Sequence, residues 1–482
     1  MSMVTLDNAQ QAALDAMLAG RNIFLTGEAG TGKSTILREF QERCQGECVF
    51  LAPTGVAAIN VQGTTLHSFF LFKPGLLTPD SLGGFNSHRR KSLIREIRTI
   101  VIDEISMVRS DLFFAVDYRL RQLAAGRDQH KPFGGKQLIL VGDFFQLPPV
   151  IKTELETKYL RSNYGGQYAF QTKLWEDANF QCICLKNVHR QENDQLFQEV
   201  LKSIRHGHLT EREIVWNGEK LSAVEALNRN CLENTSLKVP PVRLCTTNRE
   251  AIAINAAMNA RLESSPTFFP ASVAGKFNEA DFPTESTLEL KVGARVMVLC
   301  NKHLPDGSFE YVNGDTGIIE EIPSGDVPQV VVKLDKGTTV TLGLNKWSNY
   351  DYTLEPDEMT GRRTIRQREV GAFVQIPLKL AYAITIHKAQ GLTLDCVELH
   401  LGGGCFAHGQ LYTALSRCRT LRNLRVERPI MADDLILDQA VVDFYDELEE
   451  SRATEEEVQL SVPVQYEEAM RAFLAKLKGG MH

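Results

Sequence analysis

The stretch LTGEAGTGKST, residues 25–35, constrains the fold of this chain more than any other. Its pattern G-x-x-x-x-G-K-S, Gly27-Glu28-Ala29-Gly30-Thr31-Gly32-Lys33-Ser34, requires a strand before it and a helix after it. The apolar run NIFLT, 22–26, supplies the strand. Successive backbone N–H groups of such a loop turn toward phosphate oxygens, and the helix adds its positive N-terminal end. Lys33 is placed to reach the β- and γ-phosphates and Ser34 to ligate Mg²⁺. A kinase, a switch, a transporter subunit and a motor all carry this loop, so further residues must decide among them.

Three more runs, VFLA (49–52), TIVID (99–103) and QLILVGD (137–143), read with NIFLT as buried strands of a parallel sheet. Ala9, Ala12, Ala13, Ala16 and Met17 share one face of a preceding helix that Gly20 is placed to end. A helix over 110–126 has Ser110 as its expected cap. A second alternating block comprises 242–247, a helix over 248–262, 378–389, 396–401, 409–419 and 423–429. These predict a second α/β core. Between its parts, residues 303–370 are rich in turn signals (PDG, VNGDTG, PSGD, LDKGTT) flanking short β-prone runs, which predicts a small inserted β-barrel.

Two cores fit a length of 482 residues. The longest apolar runs are far short of a membrane span, and the N-terminus lacks signal-peptide or transit-peptide character. An intracellular, cytoplasmic protein is therefore expected. The ten cysteines include no C-x-x-C pair, so reduced and mostly buried thiols are expected rather than zinc ligands. The net charge of -7 is unevenly distributed: residues 431–482 carry -9, leaving +2 on residues 1–430. A basic channel on a near-neutral body remains compatible with these values.

VIDEISMV, 101–108, ends a strand with two carboxylates. Asp103 is placed to hold Mg²⁺, and Glu104 to orient and deprotonate an attacking water. That pairing suits hydrolysis and argues against a small-molecule kinase. In GDFFQLPP, 142–149, Gln146 either senses the γ-phosphate or belongs to a polar loop closed by two prolines.

DEIS, KPFGGKQLILVGDFFQLPPV, AITIHKAQGLTLD and LYTALSRCR follow one another in order. They resemble the motor motifs of superfamily-one helicases of the 5′-to-3′ branch. The block over 110–150, with APTGVAAINVQGTTLHSFF (52–70) and LKNVHRQ (185–191), resembles the PIF (petite integration frequency) family of DNA helicases. The match runs from about Leu6 to Arg425. It implies two RecA-like parallel-sheet motor domains: residues 1–190, and 191–302 with 371–433. It also implies an SH3-like β-barrel over 303–370, a small wedge-like insertion over 71–92 and an acidic helical tail over 434–482. The first motif begins at Leu6, which favours a compact, prokaryote-like form or a trimmed chain.

The resemblance assigns roles by position. Gln10 reads adenine, and Gly27 to Thr35 (with Thr35 added to the loop above) hold the phosphates of ATP. Asp103 and Glu104 form the Mg²⁺ and water site, and Gln146 is the γ-phosphate sensor. Arg190 and Arg417 are arginines that the second core brings to the γ-phosphate. Gly391 lies in the loop facing the phosphates, and Tyr412 lies nearby with no role assigned. Thr54, Thr64, Thr65 and His67 match strand-contacting loops of the first core, and His387 and Lys388 the grip of the second. Phe69, Phe70 and Phe72 read more readily as core than as stacking platforms. Arg362, Arg363, Arg366 and Arg368 either line the channel or form a solvated loop. The expected partners are single-stranded and forked DNA, with G-quadruplex DNA and RNA–DNA hybrids as further candidates. A monomer associated with the bacterial nucleoid is expected. The competing readings are a RecD-like or other 5′-to-3′ lineage, a DNA-regulated ATPase switch or loading factor that does not translocate, and a non-catalytic scaffold.

Overall fold

The structure is a computed structural model that describes residues 6–461, except 45–46, 84, 189, 192–193, 233, 235–236, 238, 305–308, 326 and 357–362. Of the basic run above, Arg362 lies outside the described residues.

The first core is built on six strands: β1 (Ile23–Gly27), β2 (Cys48–Ala52), β3 (Thr64–Thr65), β4 (Thr99–Ile102), β5 (Gln137–Val141) and β6 (Gln181–Leu185). They form one sheet in the order β3-β2-β4-β5-β1-β6. Every pairing is parallel. Ile100, Val101, Ile102, Leu138, Ile139 and Leu140 are all at most 1% exposed, which is why these strands read as unbroken apolar runs. Because all six run the same way, the segments after β1, β4 and β5 emerge on one edge. That edge is where ligands bind in open parallel sheets. The helix Asn8–Leu18 is fixed by a capping box between Asp7 and Gln10. The helix Ser110–Leu123 differs from expectation at its start. Arg109 takes the N-cap position, and the Ser110 hydroxyl instead donates to Gly166 O at 2.6 Å.

A second, four-stranded parallel sheet has the order Ala383–Thr385, Val242–Cys245, Val397–His400, Leu424–Val426. The run 378–389, read as one segment, divides. Leu378–Leu380 pairs antiparallel with Arg295–Val298, while Ala383–Thr385 joins the parallel sheet. A short helix, Ile386–Ala389, follows directly.

The inserted β-region is wider than 303–370. Its antiparallel sheet starts at Arg295–Val298, continues through Thr316–Glu321, Val330–Leu334 and Thr339–Leu342, and closes with Leu378–Leu380. Val296, Val298, Val330, Val332, Leu342 and Leu378 fill its interior, each 0% exposed. A long hairpin, Asn345–Pro356 with Arg363–Gln375, pairs instead with Ser272–Gly275. It reaches the first core. The Tyr352 hydroxyl accepts the Phe50 N–H at 2.8 Å. Both Asp351 oxygens take Arg90 N–H groups at 2.6 Å.

Arg90 belongs to the excursion over 71–92, which folds as a turn at Pro79–Leu82 and the start of the helix His88–Glu96. Phe69, Phe70 and Phe72 are buried against one another beneath it, so they present no stacking face. None of the ten cysteines is in a disulfide; four are buried and six half-buried, fewer in the core than expected. No helix among the described residues is long and apolar enough to cross a membrane. The C-terminal unit begins at Leu437 and consists, among its described residues, of the helix Gln439–Ser461.

Candidate functional site

The edge where β1, β4 and β5 end opens into a cavity of about 590 Å³. Gln10, Ala29 to Thr35, Glu104 and Gln146 line it from the first core, and Arg190, Gly391 and Arg417 also face it. The phosphate loop turns at Gly30, φ +88°, where a Cβ would stand 2.5 Å from the Arg190 Cβ. Only glycine allows that approach. Gly32, φ 85°, caps the helix Lys33–Arg43. The Lys33 ammonium donates to Gly27 O at 2.8 Å and Glu28 O at 2.9 Å, folding back on its own loop. Burial holds its pKa below the usual lysine range.

Gln10 is 4% exposed, and its Nε2 donates to Thr31 O at 3.2 Å, tying the first helix to the phosphate loop. Asp103 and Glu104 leave the end of β4 together. Glu104 has φ +52°, a left-handed conformation that is costly for a residue with a Cβ. The Asp103 Oδ1 accepts the Glu104 N–H at 2.9 Å. Burial, then the neighbouring Glu104, pushes Asp103 up to about 7. Burial also raises Glu104, against the lowering effects of Arg417, Lys33 and the Gln390 amide. The two adjacent carboxylates are half-buried, and burial raises both. The Asp103 carboxylate and the Ser34 hydroxyl are oxygen donors of the kind that fits Mg²⁺, which takes few protein oxygens and completes its shell with phosphate and water.

Arg190 and Arg417 both face the cavity, and neither makes an ion pair within 4 Å among the described residues. Arg417 is 2% exposed and donates to Thr413 O, Leu392 O and Ser416 Oγ at 2.9, 3.3 and 2.7 Å. Arg190 donates to Ser416 O at 2.9 Å. Burial, then the like charge of Arg417, pushes Arg190 down to about 9. A buried guanidinium, Arg417, and a half-buried one, Arg190, neither in direct contact with a carboxylate among the described residues, make a seat for an anion.

Several contacts join the cores beneath the cavity. The Tyr412 hydroxyl accepts the Ala29 N–H at 3.1 Å, placing this residue on the phosphate loop itself. Arg205 meets Asp143 at 3.1 Å beside the Phe145 ring. Gly409, φ +66°, abuts the GDFFQLPP loop so closely that a Cβ would lie 2.2 Å from Phe145 O. Gln390, quoted within a motif but given no role, donates to Glu104 Oε2 at 2.9 Å.

The residues assigned to the strand occupy loops at the sheet edges. Thr54 caps the helix Gly55–Asn60, Thr65 caps Leu66–Phe70, and Thr385 caps Ile386–Ala389. Burial lowers the pKa of His67 and His387, so each is a neutral hydrogen-bonding group at neutral pH. Lys388 is exposed. Thr64 differs from the expectation of a strand contact: it lies on the edge strand β3, opposite Leu51, and is only 2% exposed. Lys379 was not singled out in the sequence. It lies between Leu378 and Leu380, which face the antiparallel core, so its side chain takes the other face. The charge acting on it there is Lys388, with no ion pair within 4 Å among the described residues, and burial, then Lys388, pushes its pKa down to about 8.

Comparison with known proteins agrees with this geometry. Residues 5–214 match the family model described as PIF1-like helicase. The ATP-dependent DNA helicase Pif1 of Campylobacter jejuni is 32% identical over 462 residues, covering 90% of this chain and 96% of that protein. The human ATP-dependent DNA helicase PIF1 is 35% identical over 435 residues, 87% of this chain, but this chain spans only 60% of its length. Among solved structures, Bacteroides Pif1 in complex with ADP-AlF4 superposes with a TM-score of 0.81 at 34% identity, covering 93% of this chain and 98% of that one. The same protein bound to single-stranded DNA superposes at 0.64, with 33% identity and 93% and 98% covered. The phosphate loop, the paired carboxylates and the likeness to the bacterial relative over nearly its whole length lead to one conclusion: this chain belongs to the PIF1-like family of ATP-dependent DNA helicases.

Proposed function

We propose that this chain hydrolyses ATP to move 5′ to 3′ along single-stranded DNA and thereby unwinds forked duplexes. One observation carries the reading: residues of both cores line a single cavity, and the helix Ile386–Ala389 of the second core holds His387 and Lys388, the residues assigned to the strand, while Gln390 at its C-cap bonds directly to Glu104. ATP is complete only when the cores close, so nucleotide state becomes relative motion of two grips. Lys33 and the loop N–H groups bind the phosphates, Glu104 takes the proton of the attacking water, Gln146 reads the γ-phosphate, and Arg190 and Arg417 neutralise its oxygens. Ser34 and Asp103 would hold Mg²⁺, which would supply charge neutralisation at the phosphates.

Thr54, Thr65, His67, His387, Lys388 and Lys379 are the proposed backbone contacts, whose hydroxyl, imidazole and ammonium groups suit phosphate without base reading. The insert sheet is assigned as the SH3-like barrel and the excursion over 71–92 as the wedge. The motor domains are assigned as 1–190, and 191–302 with 371–433, with 434–482 as a tail. The reading includes a monomeric, cytoplasmic, nucleoid-associated enzyme, with G-quadruplexes and RNA–DNA hybrids as further substrates.

Strand displacement on matched duplexes tests the direction. Unwinding is expected with a 5′ tail and little with a 3′ tail or blunt ends. Preference for the 3′ tail would overturn the polarity, and ATP hydrolysis without displacement would leave a non-translocating switch.

Lys379 provides a separate check. Below about pH 8 its ammonium is charged in the free protein, and above that it must take up a proton to meet a phosphate. The affinity for single-stranded DNA should therefore fall as pH rises from 7 to 9. Lys379→Gln should remove that dependence and reduce the log–log salt slope by about 0.7, the value for one phosphate on a single strand. Anisotropy of a labelled oligonucleotide at several salt concentrations reads both effects; an unchanged slope removes Lys379 from the channel.

A further inference from the structure

Gln390 joins the second core to Glu104. Its Nε2 donates to the Glu104 carboxylate at 2.9 Å. Its other amide atom, Oε1, is buried and has no hydrogen-bond partner among the described residues. A buried amide oxygen without a donor is unfavourable, so its position beside a general base calls for a donor that arrives with the substrates. Water is that donor. We propose that Gln390 orients the attacking water of ATP hydrolysis: its Oε1 accepts one hydrogen of the water while Glu104 accepts the other, and its Nε2 keeps the Glu104 carboxylate turned toward that water. The proposal deepens the ATPase reading above and rests on it.

The step balances with the groups named. The water oxygen forms a bond to the γ-phosphorus, and one water proton passes to Glu104. The bond from the γ-phosphorus to the bridging oxygen breaks, and its electron pair leaves on ADP. Gln390 changes no bonding. It removes the rotational freedom of the nucleophile, the part that a glutamine plays in GTPases. Here the amide comes from the opposite core, so the water site is complete only when the cores are together.

Its place in the chain adds a second consequence. Gln390 is the C-cap of the helix Ile386–Ala389, and its backbone N–H bonds to His387 O. Strand contact at His387 and Lys388 and water contact at Gln390 are thus on one turn. A strand that fixes this turn also fixes the water, which gives DNA stimulation of hydrolysis a physical route one helical turn long.

The full chain carrying Gln390→Leu, which keeps bulk and removes both amide groups, is the test. With saturating single-stranded DNA, kcat is expected to fall about 10²-fold while KM for ATP stays near the wild-type value. ADP should bind as before. ADP–aluminium fluoride, whose fluoride group stands in for the phosphoryl group in transit, should lose affinity by about the same 10²-fold factor. Equal losses for ADP and ADP–aluminium fluoride would reduce Gln390 to cleft packing, and an unchanged kcat would overturn the proposal. If the leucine variant does not unfold cooperatively, Gln390→Asn replaces it: the amide persists one methylene short, and the same selective loss is expected. A wild-type chain without DNA-stimulated ATPase would instead remove the underlying function, so the two failures are distinct.

Discussion

Replacing Glu104 with glutamine should lower ATP turnover by about 10²–10⁴-fold while ATP still binds. The substitution keeps the volume and the left-handed backbone at φ +52° but removes the proton acceptor. Lys33, the loop N–H groups and Ser34 are untouched, so the phosphates keep their contacts. Removing the Glu104 charge also relieves its repulsion of Asp103, which lies at about 7 partly because of Glu104. Nucleotide affinity should therefore hold or rise. Single-turnover hydrolysis and binding of a fluorescent ATP analogue separate the two effects. Hydrolysis near the wild-type rate would show that Glu104 is not the base, and lost binding would make it structural.

A still larger loss is expected from Arg417→Ala, about 10³–10⁵-fold in DNA-stimulated turnover, the range for an arginine finger. The guanidinium is 2% exposed and faces the cavity beside Arg190. Its present bonds to Thr413 O, Leu392 O and Ser416 Oγ hold it rigid, so little ordering remains when the γ-phosphate arrives. Arg417→Lys should rescue little, because an ammonium cannot reproduce the planar fork of donors. Affinity for single-stranded DNA should not change in either variant, since Arg417 is not assigned to the strand. Steady-state ATPase assays with oligonucleotide anisotropy on the same samples check this, and a parallel fall in DNA affinity would refute the finger assignment.

The sheet of the first core was legible because its strands are buried on both faces. TIVI and LILV can only be interior strands, and each stands where its apolar run stands. The phosphate loop was legible because glycine, lysine and serine at fixed spacing have a geometric purpose. Other features depend on partners distant in sequence. The apolar run LKLAYAITI changes sheets near Ala381 without a glycine or proline to mark it, so its division was invisible. Ser110 looks like a cap, but its partner is Gly166, 56 residues away. Thr64 lies in a polar motif, yet on the edge strand β3 it is 2% exposed. Gln390 lay within a quoted motif, but its link to Glu104 spans 286 residues, and no local pattern encodes such a contact.

Gly409 determines how finely the two halves of the engine are machined. Its missing side chain lets the backbone rest against the carbonyls of Phe145 and Gln146, where a Cβ would stand 2.2 and 2.6 Å away. The clearance is thus thinner than one methyl group. Gln146 is the proposed γ-phosphate sensor, and its own carbonyl is the surface being touched. Gly409 works as a feeler gauge: a displacement of the sensor loop by an ångström becomes a displacement of the opposite core, because no compressible side chain lies between them. Stiff backbone contact at this point adds to the bonds of Tyr412, Arg205 and Gln390 and leaves the sensor loop no slack against the opposite core.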